Sequence, residues 1–478
     1  MMICMMLLAA LAAPRSEPPA DTRETTRLLM EFASRGSASG DAAGVKAASE
    51  WVASRFRGIG FQVRELQEEG NPLLFAERRV DHPALTVLFY MHYDTQPIGP
   101  AEDWASTGGE AFRPRLMLGQ WDETGARPIE LEQLDERTIE TARLYARGAA
   151  DDKAPIVMHL RAMRQWLSNS GAARVHLKYL LDGEEESGSV HIASALARHR
   201  ETLRADLVVL CDGPMDAQGR PSVYLGARGD MHMRLTLRTA RLPAHSGNYG
   251  LLPNAAWRLS SLLATMKDAQ GRVTVDGLFD GVVPPTDAEK RTMAEASLAE
   301  PVIARTLGVA AFEGDAAVSY YERLLFSPTL IINQLSSGRP GNQIPVVAEA
   351  LLEVRLVTRQ EPEQVYEAIR RHVAARMPAA SLEYLDGTPA ARMDPGEPYV
   401  ARAIQAASHA AGRQVLVYPS LGGTLPLLNA LGAAGHKYMG LPLVNFDNNQ
   451  HVGNENVKVS ALRDGVVFLT RFLDALAQ

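Results

Sequence analysis

The feature that most constrains the fold is a continuous apolar segment, Leu85–Met91 (LTVLFYM), which ends directly at His92. An unbroken apolar run of this length predicts a β-strand buried on both faces, as in parallel sheets covered by helices. Ile156–Leu167 is predicted as a helix, and Val175–Leu181 and Asp206–Leu210 are predicted as further strands. Strands that alternate with helices predict an α/β fold with a mostly parallel sheet.

The periodicity of the sequence changes near Gly229 and returns to the first pattern near Asp394. Between Met231 and Leu237 apolar residues alternate with polar ones, which predicts a strand with one solvated face. Further strands are predicted at 329–335 and 350–357, and helices at 255–266 and 362–377. We therefore expect a smaller α/β domain at residues 229–393, inserted into a larger domain made of residues 21–228 and 394–478.

Two segments fit this pattern poorly. Residues 113–141 are charged and weakly periodic, so we expect them to form an excursion on the surface. Residues 268–326 are predicted to be a partly helical insertion in the smaller domain. Both segments are candidates for shaping specificity.

The N-terminus resembles a signal peptide. Residues 1–13 are almost wholly apolar, and the composition turns polar from Pro14. We expect residues 1–20 to be removed and the protein to be exported, either to the periplasm or outside the cell. No Lys or Arg precedes the apolar run, so the alternative is a cytoplasmic protein whose N-terminus is not a true signal. No run in the sequence is long enough to span a bilayer.

Charge and cysteine content exclude several classes of protein. The 478 residues carry a net charge of -7 without basic blocks, so we expect no nucleic-acid partner. The two cysteines are Cys4, within the predicted signal peptide, and Cys211. The fold therefore does not depend on an intramolecular disulfide.

Residues suited to metal binding follow the predicted strands, at the edge where parallel sheets form their sites. His92 and Asp94 project to the same side of an extended chain, so His92 can bind zinc while Asp94 orients its imidazole. Asp151 and Asp152 follow a glycine turn, where one carboxylate either bridges two cations or caps the next helix. Each pattern alone is also typical of an ordinary polar turn.

Three further motifs belong to the same group. Glu184–Glu186 directly follows a buried strand, so one acid can bind metal and another can transfer protons, although a solvated charge run is the alternative. If Asp212 faces the metals, strand alternation turns Cys211 into the core as a packed thiol. His451 lies in a polar loop and is either a ligand or simply solvated. Imidazole and carboxylate groups without a cysteine set are typical of a hydrolytic zinc pair.

The order of these motifs resembles the M20 family of metallopeptidases, which includes dipeptidases, carboxypeptidases, aminoacylases and desuccinylases. The resemblance extends over nearly the whole chain after about residue 22. The departures are small: Ala154 stands where the family usually has Gly, and Glu353 opens the motif that is commonly Asp-x-Arg. The matching motifs are His92–Pro97 (HYDTQP), Gly148–Lys153, Gly183–Gly188 and His245–Gly247.

The resemblance implies the ligands of two zinc ions, with cobalt or manganese as alternatives. His92, Asp151 and Asp212 would hold one ion. Asp151, Glu186 and His451 would hold the other, so that Asp151 bridges the two. Asp94 would orient His92, and Glu185 would be the general base that takes a proton from the attacking water. The resemblance also implies a cis peptide between Asp151 and Asp152.

The smaller domain would be the lid and dimerisation domain of such an enzyme. His245 resembles the histidine that reaches the partner subunit's active site and stabilises the oxyanion. The chain is therefore expected to form a homodimer through the lid. Residues that would position the substrate and its carboxylate are Asn342, Arg355, Gly423 and Thr424.

The expected reaction is hydrolysis of an amide bond in a small peptide with a free C-terminal carboxylate. The His92–Pro97 motif resembles the dipeptidase-like branch of the family. An N-acyl amino acid deacylase is the alternative, because it cuts the same type of bond beside the same type of carboxylate. A third hypothesis is a binding protein that has kept the fold and lost catalysis, although every expected ligand and the base are present.

Overall fold

The computed structural model describes residues 19–66, 69–168 and 174–478. The predicted signal peptide lies outside these residues apart from its last two positions, so export stays a prediction. Within the described part of the chain, no helix is both long and apolar enough to cross a membrane.

Thirteen α-helices are present in the described residues, and several begin or end at residues suited to that position. Asp41 caps α2 by accepting a hydrogen bond from the backbone N–H of Gly44, and Gly412 ends α11 in a left-handed conformation. The helices are α1 (Pro19–Ala33), α2 (Ala42–Gly58), α3 (Lys153–Trp166), α4 (Ile192–Arg198), α5 (Arg200–Leu203), α6 (Ala255–Leu263), α7 (Asp287–Ala296), α8 (Glu300–Leu307), α9 (Tyr320–Phe326), α10 (Pro362–Arg376), α11 (Pro398–Ala411), α12 (Pro426–Ala433) and α13 (Val459–Leu476).

Twenty strands in the described residues form five sheets. They are β1 (Gln62–Glu65), β2 (Leu74–Arg78), β3 (Leu85–His92), β4 (Arg115–Leu118), β5 (Arg127–Pro128), β6 (Ala142–Tyr145), β7 (Val175–Asp182), β8 (Leu207–Leu210), β9 (Ser222–Tyr224), β10 (Gly226–Ala227), β11 (Gly229–Arg238), β12 (Ala244–His245), β13 (Thr329–Ser337), β14 (Gln343–Ile344), β15 (Val347–Leu356), β16 (Ala380–Thr388), β17 (Ala391–Arg392), β18 (Leu416–Tyr418), β19 (Tyr438–Gly440) and β20 (Asn456–Lys458).

The largest sheet has eight strands in the order β1-β2-β7-β3-β8-β19-β9-β18. Its centre is parallel, because β7, β3, β8 and β19 all run in one direction. Antiparallel pairs occur towards both ends, which makes the sheet mixed. The predicted strand Leu85–Met91 is its central β3, and every residue of β3 except Thr86 is buried. The predicted return of the C-terminal part of the chain to this sheet is confirmed by β18 and β19.

A second sheet of four antiparallel strands, β13-β15-β11-β16, is made from residues within 229–393. The alternation predicted for β11 is confirmed, since its buried and partly exposed residues alternate from Gly229 to Leu237. Helices α6 and α10 contribute apolar side chains to the core beneath the buried face. An α/β fold with a mixed sheet is therefore established. The exact domain boundaries stay a prediction.

The insertion at residues 268–326 contributes side chains to both parts of the molecule, with Val275 and Leu278 in the core of the smaller sheet. Met293 of α7 and Phe326 of α9 belong to the same buried cluster as Tyr418 at the edge of the large sheet. In this region the insertion covers one face of the large sheet as well as extending the smaller unit.

The prediction for residues 113–141 was partly wrong. Strands β4 and β5 lie in this segment and join β6 and β20 in a small sheet of their own. Leu116, Leu134 and Ile139 are buried in the main core, so the segment is an integral part of the larger unit.

Candidate active site

The predicted site lies where the central parallel strands end. His92 is the last residue of β3 and is paired in register with Asp182 at the end of β7. Asp212 follows the end of β8, which is the neighbour of β3 on its other side. Because the carboxyl ends of parallel strands share one edge, three separate stretches of sequence bring polar side chains to one place.

Two groups of side chains in the described residues have the arrangement of metal ligands. His92, Asp151 and Asp212 form one group, and Asp151, Glu186 and His451 form the other. Within each group the candidate ligand atoms all lie within 4.8 Å of one another. The structure therefore brings together all five predicted ligands, which come from five separate segments of the chain.

Asp151 stands between the two groups. Its Oδ1 lies 2.9 Å from His92 Nε2, whereas its Oδ2 lies 3.1 Å from His451 Nε2. His451 Nε2 is also 3.4 Å from Glu186 Oε2. One carboxylate thus presents each of its oxygens to a different imidazole, which is the arrangement required of a ligand that bridges two ions.

Asp94 contacts His92 less directly than expected. His92 Nδ1 lies 3.2 Å from the backbone oxygen of Asp94 and 3.4 Å from its Oδ1. The carboxylate of Asp94 instead accepts hydrogen bonds from the backbone N–H groups of Glu185 and Glu186, at 3.2 and 3.1 Å. Asp94 therefore positions both the imidazole of His92 and the turn that carries the predicted base.

The electrostatics of the site fit bound cations. Burial raises the pKa of Glu185 well above its ordinary range, and it raises the pKa of Glu186 to about 7 and that of Asp212 to about 6. Neighbouring carboxylates act in the same direction. A divalent ion would compensate this concentration of negative charge and restore the ionised carboxylates. The oxygen and imidazole donors present are those that hydrolytic zinc sites use.

Asp151 behaves differently from the other acids. Burial acts to raise its pKa, but hydrogen bonds to His451 and His92 outweigh this effect and lower the pKa below its ordinary value. The hydrogen bond to Asp151 also raises the pKa of His451 to about 9. Hydrogen bonds to the two imidazoles therefore favour the ionised form of Asp151, which is the form that binds a metal ion.

The residues predicted to bind the substrate and its oxyanion fall into two groups. Arg355 Nη1 donates to Thr424 Oγ1 at 2.9 Å, so these two residues are brought together. Gly423 is tied to the same region through its carbonyl oxygen, which accepts the backbone N–H of Arg228 at 3.0 Å. His245 and Asn342 lie in a separate place, on the short β12–β14 ladder and beside it, where Ser246 N–H donates to the Asn342 oxygen.

His245 is exposed, and its imidazole accepts a hydrogen bond from the N–H of Gly247. Across residues 19–66, 69–168 and 174–478, no hydrogen bond or ion pair joins His245 or Asn342 to the ligand groups. Within one chain these two residues therefore do not complete the site.

Comparison with known proteins shows the family. Residues 88–475 match the sequence family described as peptidase family M20/M25/M40. The chain belongs to this family. Among curated relatives, it is 24% identical to a Beta-Ala-His dipeptidase of Mus musculus over 424 residues, which are 85% of this chain and 80% of that protein. It is also 24% identical to a cysteinylglycine-S-conjugate dipeptidase of Corynebacterium striatum over 389 residues, covering 80% and 78% of the two chains.

Solved M20 structures share the fold. An M20 family metallo-carboxypeptidase from Sulfolobus solfataricus superposes with a TM-score of 0.77 at 25% identity, covering 95% of this chain and 99% of that one. Human carnosine dipeptidase 1 superposes with a TM-score of 0.76 at 21% identity, covering 96% and 97%. The chain is therefore a hydrolase of peptide C–N bonds in a metal-dependent family. The peptide bond Asp151–Asp152 is cis, as the M20 resemblance implies.

Several polar residues at this M20 site are not among the site residues that the sequence predicts. Gln96 Nε2 donates to Glu186 Oε2 at 2.7 Å, and Gln450 Nε2 donates to Asp151 Oδ2 at 3.3 Å. Asp152 accepts the backbone N–H of His92 at 3.2 Å, and Glu455 is buried beside the Asp151 turn. Gln96 and Gln450 adjoin predicted ligand motifs, which was the available signal, but an amide side chain does not itself indicate a metal site.

The position of Cys211 agrees with its prediction as a packed thiol. Its Sγ lies 3.2 Å from His159 Nε2, and the other ring nitrogen of His159 lies 3.1 Å from the Tyr179 hydroxyl. All three side chains are fully buried. This core contact fixes the end of β8 immediately before a predicted ligand.

Proposed function

We propose that this protein hydrolyses a peptide bond in small peptides with a free C-terminal carboxylate, using two zinc ions or, alternatively, cobalt or manganese. The observation that carries the proposal is the placement of Asp151 between His92 and His451. The donor sets on its two sides each contain one imidazole and one further carboxylate, from Asp212 and Glu186 respectively. Two equivalent sites around a shared carboxylate favour a pair of ions over a single structural ion.

Bound metal ions would supply Lewis acidity and lower the pKa of a coordinated water towards about 7. The remaining work belongs to the protein. His92 and Asp212 end neighbouring strands of a rigid sheet, so their donor atoms are held in place without reorganisation. Asp94 and Gln96 hold the turn of Glu186 through hydrogen bonds.

Glu185 is proposed as the general base. It belongs to the turn that Asp94 holds, directly before the predicted ligand Glu186. Burial raises its pKa, and the charges of Asp212, Glu186 and Asp151 act in the same direction. A base in this position accepts a proton from the attacking water and returns it to the leaving nitrogen. Bound ions would favour the ionised form of Glu185, which is the form that accepts a proton.

Arg355 and Thr424 are proposed to bind the substrate carboxylate. Arg355 is partly exposed and its guanidinium already donates to Thr424, so both side chains face the same space. A guanidinium can bind a carboxylate through two parallel hydrogen bonds, which distinguishes a free C-terminus from an amide. Asp230 and Glu353 adjoin Arg355 and hold its side chain in orientation.

A homodimer through the smaller sheet is proposed because His245 lies apart from the metal-ligand groups of its own chain. The edge strand β13 exposes Ile331, Ile332 and Leu335, which are 39%, 47% and 52% exposed. Leu251 and Trp257, at 101% and 76% exposure, lie close in sequence to His245. Exposed apolar residues and an unpaired strand edge are typical of a surface that a partner covers. In the dimer, His245 of each chain would stabilise the oxyanion in the partner's site.

The second candidate is an N-acyl amino acid deacylase, which needs the same ligands, base and carboxylate-binding residues. The HYDTQP motif at His92–Pro97 and the names of the relatives, both dipeptidases, favour the peptidase. A binding protein on the same fold is disfavoured by the complete set of ligands together with the buried acid at Glu185.

A substrate panel distinguishes these candidates. Zinc-loaded protein would be assayed against dipeptides, the same dipeptides with an amidated C-terminus, and N-acetyl amino acids. The proposal predicts turnover of free dipeptides, with strong discrimination against the amides. Preferred turnover of N-acetyl amino acids would establish the deacylase instead, and no hydrolysis across the panel with two zinc ions bound would favour the binding protein.

A further inference from the structure

Glu455 is a fully buried carboxylate that the proposed chemistry does not use. It directly precedes β20, which pairs with β6, so this pairing places it alongside the residues that follow β6. The ladder continues through the N–H of Ala146, which donates to the backbone oxygen of Glu455 at 3.1 Å. The Glu455 side chain therefore lies against the turn that leads from Arg147 to Asp151.

The carboxylate of Glu455 accepts four hydrogen bonds from this turn. Its Oε1 accepts the backbone N–H groups of Ala150 and Asp151, at 2.9 and 3.1 Å. Its Oε2 accepts the N–H of Gly148 and Arg147 Nη1, both at 2.9 Å. Three of these donors are the backbone N–H groups of Gly148, Ala150 and Asp151. The carboxylate therefore fixes the path of the chain that presents the bridging ligand.

The turn is closely packed at Gly148. Gly148 has a φ of +77°, and a Cβ at this position would lie 2.6 Å from the Thr95 side chain. Arg147 extends the connection, because its Nη2 donates to the Pro97 oxygen at 3.1 Å and its guanidinium lies 5.0 Å from the centre of the Trp104 ring. The Glu455–Arg147 pair thus links the segments that carry His92, Asp151 and His451.

We infer that Glu455 is a positioning residue that holds Asp151 and His451 at the correct separation for the second metal ion, which is the ion bound by Asp151, Glu186 and His451. This inference rests on the proposed two-metal site. His451 lies four residues before Glu455 in the same loop. The carboxylate of Glu455 therefore holds the turn of Asp151 against the loop that carries His451. The first ion also uses Asp151, but His92 and Asp212 are fixed independently by β3 and β8. Loss of Glu455 should therefore weaken the second site more than the first.

The test is a zinc titration of the metal-free full-length chain, with affinities measured by competition against a chromophoric chelator. Glu455→Gln keeps the shape of the side chain but turns an amide N–H₂ towards N–H donors. Outer groups that orient metal ligands typically contribute about 10–100-fold to affinity. We expect the ratio of the second to the first dissociation constant to rise at least about tenfold.

A matched control separates positioning from general stability. Asp216 is another buried carboxylate, which pairs with Arg220 and accepts the Tyr418 hydroxyl away from the ligand turn. Asp216→Asn should lower the thermal midpoint of the metal-free chain and leave the ratio of the two zinc affinities unchanged. If Glu455→Gln does not fold, Arg147→Lys replaces it, since lysine cannot contact Glu455 and Pro97 together. The ratio of the two zinc dissociation constants should rise in Arg147→Lys as well.

The outcomes distinguish this inference from the function on which it rests. A wild-type chain that binds two zinc ions, with an unchanged affinity ratio in Glu455→Gln or in its replacement, overturns the role of Glu455 alone. A wild-type chain that binds fewer than two zinc ions contradicts the two-metal site, and the role of Glu455 with it.

Discussion

The backbone N–H of Glu185 donates a hydrogen bond to the carboxylate of Asp94 at 3.2 Å. Asp94 also approaches His92, so one side chain connects a predicted metal ligand with the predicted base. Asp94 therefore positions the base as well as the imidazole. The backbone of Glu185 should keep its position when the charge of the Glu185 side chain is removed.

Replacing Glu185 by Gln should abolish most turnover without releasing the metal ions. The backbone contact with Asp94 does not involve the Glu185 side chain, whereas the amide cannot accept the proton of the attacking water. We expect kcat to fall by about 10²–10⁴-fold, with zinc content per chain unchanged by elemental analysis. The same change at the adjacent Glu184, which faces His191 and the N–H of Asn71, serves as the control. Wild-type kcat in Glu185→Gln would remove Glu185 from the role of base.

Replacing Arg355 by Met should raise KM for peptides with a free carboxylate. Hydrogen bonds to charged groups contribute about 1.5–3 kcal/mol, which corresponds to roughly a 10–100-fold change in KM. The measurement compares kcat and KM for a dipeptide and its C-terminal amide in both proteins. Wild-type enzyme should discriminate strongly between the two substrates and the variant weakly. Equal losses on both substrates would show that Arg355 supports the structure instead of the carboxylate.

Mixing two inactive variants should restore activity if the active site is shared between subunits. His245→Ala lacks the proposed oxyanion group, and Glu185→Gln lacks the base. In a mixed dimer one site would combine the intact Glu185 of one chain with the intact His245 of the other. After subunit exchange we expect roughly a quarter of wild-type activity. Activity that stays at the level of the separate variants, in a preparation shown to contain mixed dimers, would place His245 outside the partner's site.

The stability of the protein should depend on pH through His159, which is far from solvent. Burial lowers its pKa to about 3, whereas the unfolded chain has an ordinary value near 6.5. Between these two pH values the unfolded state binds a proton that the folded state does not bind. This proton stabilises the unfolded state increasingly as the pH falls. This group alone should remove up to about 1.4 kcal/mol of stability per pH unit below about 6.5.

The comparison of His159→Gln with wild type isolates this effect. Urea denaturation of both proteins at pH 7 and pH 5.5 should show a smaller loss of stability in the variant on acidification. His409→Gln, at an exposed position of α11, is the control and should follow wild type. A His159→Gln variant with the same pH dependence as wild type would contradict a neutral His159 in the folded state.

The sequence predicts the metal ligands of this site better than the residues that hold those ligands in position. The run Leu85–Met91 identifies the central strand because full burial leaves a continuous apolar pattern. Ligands at strand ends could then be grouped, since parallel strands share one edge. Glu455 and Gln450 were not identified, because a buried acid or amide in a polar loop resembles a solvated one until the contacts of the loop are known.

Non-local pairing explains the main error in the fold. Strand β4 in the segment 113–141 pairs with β6, which in turn pairs with β20 more than three hundred residues away. Short strands of this kind show little periodicity of their own, so a segment with many charges was assigned to the surface. Burial of Leu116 and Ile139 depends on those distant partners.

Anomalous diffraction from zinc-loaded crystals would locate the metal ions around Asp151. The proposed two-metal site predicts two zinc peaks about 3.5–4 Å apart, one within ligand distance of His92 and Asp212 and the other within ligand distance of Glu186 and His451. Both peaks should contact the carboxylate of Asp151. A single peak, or two peaks that do not share Asp151, would contradict it.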